Sequence, residues 1–235
     1  MTRSRLATSL VALPIVALLI GLGSWQLQRL VWKRDLIATM ETRLEAAPVP
    51  LAQALDRPEA DREWQRVTAT GTYLYDRQIA LYRLSVAGRP GYLILTPLRL
   101  ADGRTVLVDR GHVPQAEADP SARPGSDPEG TVQVTGILRG GETPQAFTNE
   151  NDPASGAWYW YDLPAMAAAM NLDLLPAVIH ADAGPEGSMP LGGQAVFDPP
   201  NHHLQYALTW YGLAGVALVI YVLLLVKRPA RRPKP

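Results

Sequence analysis

Two runs without Asp, Glu, Lys or Arg, Leu6–Gln28 and His203–Val226, stand at opposite ends of the chain and set its architecture. The first is 23 residues long; at about 1.5 Å of rise per residue it spans roughly 35 Å as a helix, enough for a hydrocarbon core of about 30 Å. Backbone polar groups in lipid are satisfied only by helices and closed barrels, and neither run alternates, so both are read as transmembrane helices. The layout expected is a short N-terminus (1–5), helix one (6–28), a large outer domain with a leading helix (29–202), helix two (203–226) and a basic tail (227–235).

A formal net charge of zero conceals a partition. Arg3, Arg5, Lys227, Arg228, Arg231, Arg232 and Lys234 put +7 on the ends, while all 22 acidic residues lie between Asp35 and Asp198 and leave the middle at −7. Basic residues in short flanks mark the cytoplasmic side, and long loops cross largely regardless of charge. Both termini are therefore expected in the cytoplasm and the large loop outside. A cleaved signal peptide is the rival reading of the start, but its apolar stretch is long for a signal and no clear A-x-A site follows. No Arg/Ser-rich amphipathic transit peptide precedes helix one, which favours a bacterial inner membrane. The absence of cysteine is compatible with an outer compartment.

Between the anchors, Leu30, Ile37, Met40 and Leu44 continue a helix that should end before Pro48. A short helix is weakly indicated at Leu51–Leu55. From Trp64 the apolar period changes to two: RVTATGTYLY, QIALYRLSVAG, GYLILTPLRL, TVLVDRG, TVQVTGILRG and PAVIHADA read as strands. Asp102-Gly103 is a hairpin turn pair. Asp162 is placed to cap a short helix through Met170. Pro120–Pro128 is an exposed loop. The fold class expected is an α+β membrane protein in which two terminal helices flank a mostly antiparallel β domain with short helices, a small barrel being one form it could take.

Catalytic signatures are lacking. There is no Cys, H-E-x-x-H, G-x-S-x-G, Walker loop or G-x-G-x-x-G, and the four histidines are His112, His180, His202 and His203. A non-enzymatic role is expected, with the lipid bilayer as a partner and nucleic acid not among them.

The outer ends of the two apolar runs are richer. Because one loop joins them, Trp25, Gln26, Arg29, Trp32 and Lys33 reach the same bilayer surface as His203, Gln205, Tyr206 and Trp210. His203, Tyr206 and Trp210 stand at i, i+3 and i+7, and Trp25, Arg29 and Lys33 at i, i+4 and i+8. Interfacial anchoring accounts for the aromatics and for snorkelling Arg and Lys. An imidazole is not a preferred anchor, and in its neutral form it ligates metals, haem iron included. Both readings stand on the residues alone.

These residues resemble the SURF1 family (Shy1 in yeast) of cytochrome c oxidase assembly factors. LGSWQLQRLVWKRDLI carries Leu22, Gly23, Trp25, Gln26, Arg29, Trp32 and Lys33 in the family's L-G-x-W-Q-x-x-R-x-x-W-K pattern. RPGYLILTPL supplies Gly91, Tyr92, Thr96, Pro97 and Leu98. LVDRGHVP supplies Val108, Arg110, Gly111, Val113 and Pro114, with His112 where the family usually has Trp. NHHLQYALTWYGLA completes the order, and His203 fits the motif beside an additional His202. The resemblance implies an assembly factor that binds haem a at the outer membrane surface and assists its insertion into oxidase subunit I. It implies His203 as the metal ligand, with Tyr206, Trp210, Trp25, Arg29 and Lys33 around the cofactor, and subunit I and haem a synthase as partners. A scaffold that binds the oxidase subunits or the synthase without holding haem is the alternative.

Overall fold

Residue Arg3 opens a helix, α1, that runs without interruption to Glu45. The computed structural model describes residues 3–195 and 200–226. The basic tail expected at 227–235 lies outside the described residues, as do residues 1 and 2. The chain separates into two compact units, one formed by residues 1–39 and 198–235 and the other by 40–197.

The second unit begins at the end of α1. A two-residue strand β1 (Val49–Pro50), helix α2 (Leu51–Leu55) and helix α3 (Glu59–Arg62) lead into β2 (Gln65–Tyr73), β3 (Ile79–Leu84), β4 (Pro90–Leu100), β5 (Thr105–Pro114) and β6 (Thr131–Arg139). Helix α4 (Leu163–Met170) and strand β7 (Leu174–Ala181) complete it. The strands form one sheet in the order β1-β2-β6-β7-β5-β4-β3, with a further pairing of β2 to β4. The antiparallel character expected holds for most ladders, but β5–β7 and β1–β2 are parallel, so the sheet is mixed. The β5–β7 pair is parallel because β7 is inserted between two strands of opposite sense, β5 and β6. The chain passes through α4 after β6 and enters β7 between β6 and β5, where β7 runs antiparallel to β6 and parallel to β5.

Alternation places two cores on the two faces. Val106 and Val108 of β5 join Val67, Ala69, Leu98, Val134, Leu138 and Ile179 in one, closed by Leu51 and Ala54 of α2. Leu107 points the other way and meets Leu81, Leu95, Trp158, Met166, Met170 and Val178 beneath α4. Strand β5 is therefore buried on both faces, which is why its sequence is an apolar run before Asp109. Local chemistry fixes the joints. The Asp162 carboxylate accepts from Ala165 N at 3.1 Å and caps α4, while Asn171 ends it in the left-handed conformation. At the β4–β5 hairpin Gly103 takes φ of 86°, and Asp102 accepts from the Arg104 backbone N–H at 3.0 Å.

In the first unit, α1 and helix α5 (His203–Val226) are each long and apolar enough to cross a membrane.

Candidate functional site

The residues that bring α1 and α5 together recur at alternating steps of three and four. On α1 they are Ser9, Ala12, Val16, Leu19, Gly23, Gln26 and Leu30; on α5 they are His203, Ala207, Trp210, Ala214, Ala217 and Tyr221. Each of these is buried or half-buried, amid mostly exposed neighbours. A repeat of 3.5 residues keeps one seam facing a partner helix. Gly23, Ala207 and Ala214 are small, which lets the backbones approach closely.

Polar contacts fix the register. Ser9 Oγ meets Tyr221 Oη at 2.9 Å, and Ser24 Oγ meets Tyr211 Oη at 3.0 Å. Each serine hydroxyl already donates to its own helix, to Arg5 O and Ile20 O, so the tyrosines are the donors between helices. At the end formed by the start of α5, His203 Nδ1 lies 2.7 Å from Gln26 Oε1, and Lys33 Nζ donates to Pro200 O at 2.7 Å. Pairs 9–221, 24–211 and 26–203 run in opposite senses, so the helices are antiparallel.

The six residues singled out in the sequence do not share one place. His203 and Trp210 lie on the seam. Tyr206 and Trp25 point away from it, 55% and 50% exposed. Arg29 is exposed and stacks its guanidinium over Trp32, 4.4 Å from the ring centroid. Lys33 is half-buried, and one of its three N–H donors is used by Pro200. The seam therefore takes the i+4 neighbour of His203, Ala207, where the sequence reading took the i+3 neighbour, Tyr206. Gln26, which the sequence places at this level without a role, is the direct partner of His203. Its signal was available: Gln26 follows Gly23 by three, the step of the seam. The exposed His202 borders a shallow concavity with Asn201, Leu204, Gln205 and Leu208.

The second unit holds a polar centre that the sequence did not disclose. Asp109, 2% exposed, accepts from Gly111 N at 2.9 Å through Oδ1. Its Oδ2 accepts from Tyr161 Oη at 2.8 Å and faces His180 Nδ1 at 3.0 Å. Burial, reinforced by the neighbouring carboxylate, pushes the Tyr161 phenol well above its ordinary pKa, so it remains a donor. The centre opens on a cleft of about 280 Å³ bordered by Arg83, Arg139 and Glu142. Arg83 pairs with Glu142 at 2.9 Å, and Arg139 with Glu63 at 2.8 Å.

The motif residues of β5 have packing roles. Arg110 is buried, pairs with Asp127 at 2.7 Å and lies near the rings of Tyr73 and Tyr75. Gly111 has φ of 122° and backs onto the Leu191 carbonyl, leaving no room for a Cβ. His112 is 4% exposed, and its backbone exchanges hydrogen bonds with Leu191.

A profile of the SURF1 family matches residues 13–215, a span that includes the sheet and the part of the helix seam around Gly23, Gln26 and His203. The SURF1-like protein of Monosiga brevicollis is 40% identical over 232 residues, covering 92% of this chain and 86% of that protein. Surfeit locus protein 1 of Mus musculus is 35% identical over 232 residues, with 91% and 74% covered. Surfeit locus protein 1 of Homo sapiens is 33% identical over 231 residues, with 90% and 75% covered. By the family profile over residues 13–215 and by these identities over most of its length, the chain belongs to the SURF1 family.

Proposed function

We propose that this chain is a membrane-anchored, non-enzymatic assembly factor for a haem–copper cytochrome c oxidase, which receives haem a at the outer surface of a bacterial inner membrane. The SURF1 family is known for cytochrome c oxidase assembly. The termini are taken as cytoplasmic, and subunit I and haem a synthase as the partners. One observation carries the haem reading: His203 is bonded through Nδ1 to Gln26, which leaves Nε2 for a ligand. The donor set fits a porphyrin with acidic arms, because the imidazole is bonded to Gln26 of α1 and Arg29 and Lys33, three and seven residues further along α1, are cations that suit propionates.

Haem a supplies an iron centre for ligation by an imidazole, together with an apolar tail that is costly to expose to water. The chain's residues do the remainder. The apolar faces of α1 and α5 offer surroundings suited to the tail, Arg29 and Lys33 neutralise the propionates, and a single imidazole holds weakly enough to release. His203→Ala, expressed beside haem a synthesis, tests this. The variant is expected to insert normally but to lose co-purified haem, and unchanged haem content rejects His203 as the ligand.

The separate compact unit of residues 40–197 favours a second reading, a scaffold for oxidase subunits or the synthase, since a haem site on the helices does not require it. A purified chain without a Soret band that still captures subunit I supports the scaffold.

A further inference from the structure

We propose that Gln26 sets the tautomer of His203 and thereby fixes which ring nitrogen is offered to a ligand. The identity of the ligand rests on the haem reading above; the tautomer does not. An amide oxygen carries no proton, so the 2.7 Å contact between His203 Nδ1 and Gln26 Oε1 puts the proton on Nδ1. The neutral ring then holds its free lone pair on Nε2, which has no hydrogen-bond partner among the described residues.

Imidazoles that bind metals usually donate their other N–H to an oxygen acceptor, which fixes the ring plane and strengthens the donor nitrogen. Gln26 meets this requirement from the neighbouring helix. Its position is inherited from the whole seam: it stands one step beyond Gly23, which lies against the Tyr211 ring, and His203 stands one step before Ala207. The orientation of the imidazole is thus a product of helix packing and not of α5 alone.

The choice of an amide also has a chemical meaning. A carboxylate in the same place would bring a charge to the seam and make the imidazole a stronger donor. An amide orients the ring, adds no charge and leaves a weaker donor, which suits a residue that must both hold and release. Gln26 is a positioning residue in this scheme.

The test uses the full chain in detergent micelles. With histidine labelled by nitrogen-15, no haem added and the ring neutral, the His203 resonances are expected to report Nδ1–H, and Gln26→Met is expected to abolish that preference. A ring protonated on Nε2 in the unsubstituted chain overturns the proposal, because the amide would then be turned to donate. In titrations with haem a, Gln26→Met is expected to weaken binding about 10- to 100-fold. Gln26→Glu, which keeps an acceptor oxygen and makes the imidazole a stronger donor, is expected to bind at least as tightly as the unsubstituted chain and to lower the midpoint potential of the bound iron. Equal affinity for the unsubstituted chain and Gln26→Met also overturns the proposal. Absence of binding by every chain, the unsubstituted one included, removes the haem reading, and the nitrogen-15 result then decides the role of Gln26 by itself.

Discussion

Gly23 of α1 lies directly against the ring of Tyr211 of α5: a Cβ at position 23 would stand 2.9 Å from two ring carbons. That is closer than carbon atoms approach without displacement. Gly23→Leu is therefore expected to part the helices along the seam. The chain has no cysteine, so cysteines placed at Ser9 and Tyr221 provide a clean reporter. A short bifunctional thiol reagent should bridge them in the parent chain and fail to do so with Leu at position 23. Equal bridging in both would show that the seam tolerates the side chain.

The Tyr211–Ser24 hydrogen bond, 3.0 Å between oxygens, should matter less than the close approach beside it. Hydrogen bonds between helices in lipid average about 0.6 kcal/mol in double-mutant cycles. Tyr211→Phe and Ser24→Ala should each cost about that much in thermal unfolding in detergent, and the double substitution should cost little more than either. Simple additivity would mean that the hydroxyls do not interact.

Asp109 is the acceptor for three donors drawn from β5, β7 and the segment before α4. Asp109→Ala would strand the Tyr161 hydroxyl, His180 Nδ1–H and the Gly111 N–H at a largely buried site. The expected loss is about 3 kcal/mol or more in chemical denaturation, at 1–3 kcal/mol for each stranded group. Asp109→Asn keeps an acceptor oxygen and should lose less. A larger loss for Asn than for Ala would contradict the assigned bonds.

His112 gives the second unit an acid sensitivity. Burial, aided by the charge of Arg89, holds its pKa below the ordinary value near 6.5 despite backbone hydrogen bonding at Arg83. The unfolded chain therefore takes up a proton as pH falls through about 6.5, while the folded chain stays neutral. Its contribution to stability is complete above that pH and declines on acidification until the folded ring also titrates. His112→Phe should flatten this part of the stability profile; an unaltered slope between pH 5 and 7 would show that other groups cause it.

Capping of α4 provides a local test. Asp162→Ala removes the acceptor for Ala165 N and is expected to cost about 1 kcal/mol in thermal unfolding. Asp162→Asn or Asp162→Ser should retain most of the stability. If Ala is no worse than Ser, the helix is held by its buried methionines instead.

Much of this fold was legible because its signals are local. The long end helices follow from uncharged runs, the α4 start from Asp162, and the β4–β5 hairpin from Asp102-Gly103. The parallel contact of β5 with β7 was not legible, because it depends on β7 inserting between β5 and β6 and not on the period of either strand. For the same reason Asp109, Tyr161 and His180 could not be grouped in advance. A hint was present, since Asp109 and His180 each follow an apolar run, and polar residues so placed on adjoining strands often answer one another. At the helix seam, the sequence puts Tyr206 on the face of His203 and Trp210, where the structure has Ala207. Steps of both three and four are allowed on a helix face, and only the partner helix decides that Ala207 completes the turn. That partner also supplies Gln26, which a reading of α5 alone does not reveal.

The second contact of β2, with β4, has a consequence for solitary life outside a complex. It leaves β2, β4, β5, β6 and β7 with neighbours on both sides, so among the described residues the strands at the rims are the two-residue β1 and the six-residue β3. Even β3 is partly covered, as Tyr82 N donates to Trp158 O. Open rims are where like chains add to one another and grow into aggregates. A ladder that turns back upon itself gives stray copies little to grip.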